Sequence, residues 1–286
     1  MSRFVVGVDG SDRARDALQW ALAHAGPDDR IEAVHVWDVP VIAGYEGAIA
    51  VDPAEMEAAA AQFVGDLAAS CADARVTAMT VRGNAGRALV EAAEGADVLV
   101  IGHNGDGRMS LLGSVAQFVV HHTTIPVVLE RGERTGPARH VVVGVDDHDL
   151  DARDDRGSRG NESVRALRWA YDLPAIEVVD VVHAWFAPAV AAGLYADAGA
   201  DMARQDADAV AVIQRVVDAA GPFPSGVTLR QTPERGTPGF ALVEASRAAD
   251  LVVVGSRGRG GIVGLLLGST STDVVANSHC PVAVIH

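Results

Sequence analysis

Lysine is missing from this chain: all 23 basic residues are arginine. That gap removes the GxxxxGK[ST] phosphate loop, whose lysine sits on the β- and γ-phosphates, along with Schiff-base chemistry and the strand lysine of a protein kinase. Cysteine is scarce as well. Cys71 and Cys280 stand in unrelated contexts, so neither a disulfide framework nor a metal knuckle is indicated, and a reducing cytoplasm is the expected setting. No apolar run approaches the roughly 20 residues that cross a bilayer. The strand pattern begins at Phe4 and leaves no room for a signal peptide. Positive charge is also short, at a net −15, which argues against nucleic acid or an anionic membrane as partner. Ten histidines are present, but no HExxH, no ligand pair at i, i+4 and no GxSxG elbow accompanies them. His35 and His183 read as packing residues, and His121-His122 falls near a helix end, where a cation suits the dipole.

What is present is a repeat. Ala88–Gly102 lies over Ala241–Gly255 with nine of 15 positions identical. Val5-Val6-Gly7-Val8-Asp9 matches Val142-Val143-Gly144-Val145-Asp146, Trp20 matches Trp169, and Val34-His35-Val36-Trp37 matches Val182-His183-Ala184-Trp185. Arg82-Gly83 matches Arg235-Gly236, and Ile125-Pro126-Val127 matches Cys280-Pro281-Val282. The spacing predicts strands over 4–9, 31–37, 75–81, 97–102 and 126–130, then 141–146, 177–185, 227–232, 250–255 and 281–285. Alanine-rich stretches of helical period separate them, such as 12–25, 54–71 and 86–94. Strands that alternate with helices make a parallel, doubly wound sheet. The expected architecture is therefore α/β: two tandem Rossmann-like domains of five strands each, over 1–130 and 140–286, with 131–139 as linker.

With strand order 3-2-1-4-5, each domain opens a crevice between the carboxyl ends of its first and fourth strands. Asp9 and Asp146 end the first strands, and Gly102 and Gly255 end the fourth. After Gly255 the chain reads Gly-x2-Gly-x9-Gly-Ser, through Gly258 to Gly268 and Ser269. Glycines let backbone approach a ligand closely, and a helix opening at Gly268-Ser269 offers free N–H groups and a favourable dipole to an anion. Ser269, Thr270 and Ser271 stand at that opening, and Arg257 or Arg259 would offset phosphate charge. The plain alternative is a glycine-rich surface loop with Ser269 capping its helix.

This combination resembles the ATP-binding universal stress proteins, in tandem form, over nearly the whole chain. The resemblance rests on Gly255-x2-Gly258-x9-Gly268-Ser269, Asp146 on the first strand and Pro281 opening the last. It implies an adenine nucleotide, ATP, with Mg²⁺ as an optional companion ion. Asp146 would lie near the ribose or base, the backbone of Ala184 would meet the adenine edge, and Gly255, Gly258, Gly268, Ser269 and Ser271 would cradle ribose and phosphates. The matching positions of the first copy are Asp9, Val36, Gly102, Gly105, Gly113 and Ser114, but its loop is Gly-x2-Gly-x7-Gly-Ser, with Asp106 where the second copy has Arg259 and Ala116 where it has Ser271. The first copy is expected to hold a triphosphate less well.

Twelve more residues separate Asp146 from Trp169 than separate Asp9 from Trp20, and the acidic segment 147–160 reads as a solvated insertion. Asp147, Asp149 and Asp151 have the spacing of a calcium loop but lack its glycine and closing glutamate. The expected function is a nucleotide-dependent regulatory module of the stress-response type. A slow ATPase or adenylyl transferase and a nucleotide-independent interaction module stand as alternatives. Pairing through the last strands, 126–130 and 281–285, in a homodimer or between the domains, is the expected assembly.

Overall fold

The computed structural model describes residues 1–39, 52–103, 113–132, 136–147, 150, 162–186, 198–256 and 267–286. They fall into two compact units, Met1–Asn104 with Gly113–Glu130, and Arg131–His286. The first unit runs β1 (Arg3–Gly7), α1 (Asp12–His24), β2 (Arg30–Trp37), α2 (Pro53–Ser70), β3 (Val76–Arg82), α3 (Ala85–Ala92), β4 (Val98–Gly102), α4 (Ser114–His122) and β5 (Val127–Glu130). Its strands pair only in parallel, in the order β3-β2-β1-β4-β5. Central strands carry apolar residues on both faces because helices cover both. Val5, Val6, Leu99 and Val100 are wholly buried, while β3 at the margin exposes Thr77, Ala78 and Met79.

Helices α1, α2 and α3 each start where a side chain takes up an orphan amide. Ser11 accepts from the Ala14 amide at 3.1 Å, Asp52 from Ala54 at 2.9 Å with Pro53 next, and Asn84 from Arg87 at 3.2 Å. At the other end of α1, Arg75 donates to the carbonyls of Ala25 (2.6 Å) and Gly26 (3.1 Å) while paired with Asp73. His24, in the last turn, stacks on Trp20 with ring centroids 3.9 Å apart and places Nδ1 2.7 Å from the Trp20 carbonyl. Burial lowers its pKa to about 4.

The second unit repeats the plan with β6 (His140–Gly144), α5 (Glu162–Tyr171), β7 (Val178–Trp185), α6 (Ala198–Ala220), β8 (Thr228–Arg235), α7 (Pro238–Ala245), β9 (Leu251–Gly255), α8 (Ser269–Asn277) and β10 (Val282–Ile285). Its strands are parallel in the order β8-β7-β6-β9-β10. β8 runs three residues beyond its expected end and takes in Pro233, which a marginal strand tolerates because one of its edges makes no ladder within the unit. The described part of the segment 131–139 packs on the second unit. Arg131 donates to the Val275 carbonyl at 2.8 Å, and the amides of Arg139 and His140 share the Asp250 carboxylate at 3.1 and 2.9 Å.

Candidate functional site

In both units the first strand pairs in parallel with the fourth, and the two end close to one another in register, at Gly7 and Gly102 and at Gly144 and Gly255. In the first unit this leaves a cavity of about 290 Å³. Its lining brings together the end of β1 with Asp9, Val36 of β2, Leu89 of α3, Gly102 of β4, and Gly113 and Ser114 at the start of α4. Asp9 is exposed at the mouth, with one carboxylate oxygen held 3.0 Å from the Ser11 amide.

Val36 sits where β2 has outrun β1. The β1–β2 ladder ends at Gly7–Val34, after which the Val8 amide donates to the Val34 carbonyl at 2.9 Å. The next acceptor, the Val8 carbonyl, faces Nδ1 of His35 at 2.8 Å rather than a strand amide. A carbonyl only accepts, so His35 carries its proton on Nδ1 in that bond. Alternation along the strand turns the peptide groups of Val36 toward the β1 side, beyond where β1 ends, and so into the cavity. The second unit repeats every step. Val145 donates to Val182 at 2.9 Å, His183 Nδ1 lies 2.8 Å from the Val145 carbonyl, and Ala184 stands two residues past the last pair.

Helices α4 and α8 begin at Gly113 and Gly268, and neither cap residue supplies a side-chain hydrogen bond. Ser269 is the first helical residue and not the cap, so the amides of the opening turn keep no internal acceptor. Around α8 the hydroxyls are otherwise engaged. Ser271 donates to the Gly255 carbonyl at 2.5 Å, and Thr272 to the Gly268 carbonyl at 2.9 Å. The Gly268 amide donates to the Ser256 carbonyl at 2.7 Å, which ties together the two ends of the glycine segment. Ser269 and Thr270 remain beside the helix opening, while Gly105, Arg257, Gly258 and Arg259 lie outside the described residues.

Gly102 turns out to be small for a packing reason. A Cβ there would meet the backbone carbon and oxygen of Arg13 at 2.7 Å, so the first turn of α1 rests on this glycine. Gly113 is the converse, with nothing within 4 Å of the place its Cβ would take.

Sequence reasoning missed three side chains. Glu162 opens α5, and both its carboxylate oxygens lie 3.2 Å from the Ser256 hydroxyl. Glu130 ends β5 as the register partner of Gly102 and is only 2% exposed. Its burial pushes the carboxyl up to about 8; Asp16 acts in the same sense, and Arg13 opposes. His103, 1% exposed, joins it through a 2.8 Å bond from its amide to the Glu130 carbonyl. The signal was available in the repeat, since Glu130 falls on Ile285 and His103 on Ser256. Of the calcium-like triplet, Asp147 forms an ion pair with Arg215, while Asp149 and Asp151 lie outside the described residues. Among the described residues no group of three or more potential metal ligands converges.

The model of the universal stress protein family matches residues 1–131 and again residues 137–286. This chain belongs to the universal stress protein family. A universal stress protein of Mycolicibacterium smegmatis is 30% identical over 300 residues, covering 98% of this chain and 96% of its own. One from Mycobacterium tuberculosis is 30% identical over 305 residues, covering 98% and 95%. The crystal structure of a universal stress protein from Archaeoglobus fulgidus gives a TM-score of 0.68 at 21% identity, covering 99% of this chain and 97% of that one. At that identity the structural likeness bears on the fold. Within this universal stress protein the repeated Arg–Trp pairs are packing devices. Arg82 lies 5.6 Å from the Trp37 ring and Arg235 5.6 Å from that of Trp185, which also donates to Asp206 at 3.1 Å. No described helix is long and apolar enough to cross a membrane.

Proposed function

We propose that this universal stress protein binds an adenine nucleotide, ATP, in the crevice at the carboxyl ends of its central strands, and acts as a nucleotide-dependent regulatory module. The observation that carries this reading is the first unit's cavity, which brings Asp9, Val36, Gly102, Gly113 and Ser114 to one wall system. The peptide groups of Val36, and of Ala184 in the second unit, are turned to the side where a base edge would meet a donor and an acceptor. Asp9 and Asp146 stand where ribose hydroxyls would lie. The uncapped amides of α4 and α8 suit a phosphate. Phosphate charge, with Mg²⁺ where a triphosphate is held, would fall nearest the segment between Gly255 and Gly268, whose complete glycine spacing makes the second unit the tighter site.

The test is direct. Small molecules released from the purified protein are identified by mass spectrometry, and ATP binding is followed by calorimetry in the parent, Asp9→Ala and Asp146→Ala. Adenine nucleotide in the released fraction, with each variant at least tenfold weaker at one class of site, supports the reading. A parent that neither carries nor binds adenine nucleotide refutes it.

A further inference from the structure

Glu130 is a buried acid that the fold does not require. The second unit builds the same strand end with Ile285, wholly apolar and 3% exposed. Carboxyls are rarely buried without a partner. Here Oε2 has no hydrogen-bond partner among the described residues. Arg13 and Asp16, paired at 3.5 Å on α1, are the charges that act on the Glu130 carboxyl; α1 packs on β4 and β5. His103 follows β4 and meets Glu130 through the main chain, and α4, which also packs on β5, carries His121 and His122 in its last turn. The second unit replaces this set with Glu162, Arg165, Ser256 and Ile285.

Its position gives Glu130 a task. It is the register partner of Gly102, which forms part of the cavity wall beside Gly113 and the open end of α4. Neighbouring strands stand about 4.8 Å apart and a glutamate side chain reaches about as far again, so the Glu130 carboxyl lies within about 10 Å of the Gly102 backbone in that wall. We propose that Glu130 is a proton-linked gate on phosphate binding in the first unit: protonated, it admits an anionic ligand to the cavity, and ionised, it repels one. The inference rests on the nucleotide reading above. At neutral pH the carboxyl holds its proton, because burial outweighs the single favourable guanidinium. As pH rises through about 8 it ionises, and a bound phosphate group meets a second negative charge in a poorly screened setting. At an effective dielectric of about 20 this repulsion weakens binding by about tenfold per phosphate charge. Linkage runs both ways, so a phosphate in the cavity makes Glu130 hold its proton more firmly.

The experiment is calorimetry of the full chain with ATP and with adenosine at pH 6.5 and pH 9.5, in the parent, Glu130→Gln and Glu130→Ile. The isoleucine variant carries the residue that the second unit tolerates at this position, which guards against a folding failure. In the parent, ATP affinity at one class of site should fall about tenfold or more across this range, while adenosine affinity stays level. Both variants should lose the fall. An equal fall in parent and variants, or an equal fall for adenosine, overturns the gate and leaves the nucleotide reading standing. No ATP binding by the parent at either pH overturns both.

Discussion

Gly102 and Gly113 look alike in the sequence, each a glycine of the same spaced motif, yet the structure gives them opposite work. Replacing Gly102 with alanine puts a methyl 2.7 Å from the backbone carbon and oxygen of Arg13 and 2.9 Å from its Cβ. Real Cβ contacts do not come that close, and backbone atoms cannot swing aside. The first turn of α1 must lift off β4, at the cost typical of overpacking, about 1–3 kcal/mol. Gly113 has φ −57° and ψ 151°, which any L-residue adopts, and open space around it. Its alanine variant gains a little from a stiffer unfolded chain and loses a little as a helix cap, for a net change within about 0.5 kcal/mol. Thermal unfolding of the two variants beside the parent decides the matter. Gly102→Ala should lower the melting temperature by roughly 3–9 °C and Gly113→Ala by almost nothing, while Gly113→Leu should block nucleotide without loss of stability. A Gly102→Ala protein as stable as its parent would refute the packing assignment and return this glycine to the ligand.

Three further outcomes follow from the buried groups. Glu130 is neutral in the folded protein up to about pH 8 but ionises near 4.5 when unfolded. The folded state therefore binds the extra proton across that window, and stability is lost as pH rises through it. The loss amounts to about 3 kcal/mol by pH 7, and Glu130→Gln should recover most of it, as read from denaturation midpoints at pH 5, 7 and 9. His24 acts at the acid end. Its folded pKa of about 4 lies below the ordinary 6.5, so stability present above pH 6.5 is lost as pH falls toward 4. The full loss is about 3 kcal/mol, and His24→Gln should flatten that limb of the pH–stability curve. Leu167 is wholly buried in α5; Leu167→Ala should cost about 2–5 kcal/mol in the transition that calorimetry assigns to the second unit.

Much of the fold was legible because duplication prints its own alignment. Strand ends, helix starts and the position of the crevice could each be checked against a second copy in the same chain. Of the candidate residues of the first copy, Asp9, Val36, Gly102, Gly113 and Ser114 line one cavity. What escaped depended on contacts between elements far apart in sequence. Nothing local says that Gly102 lies under α1, that the Ser271 hydroxyl is turned to the Gly255 carbonyl, or that Glu162 reaches Ser256 94 positions away. Glu130 was overlooked for a related reason. A charge closing an apolar strand normally reads as the point where the chain meets water, and only the mismatch with Ile285 marked it as different.

The bond from the Gly268 amide to the Ser256 carbonyl has a consequence for how this architecture tolerates change. It fastens both ends of the glycine segment to the scaffold, so whatever lies between is a cassette held at two fixed pegs. Lengthening such a loop costs little, about 0.6 kcal/mol for each doubling, because the ends are already pinned. A change of length between the two pegs is therefore expected to leave the sheet undisturbed. Grafting residues 256–268 between β4 and α4 of the first unit would test whether binding character travels with the cassette alone.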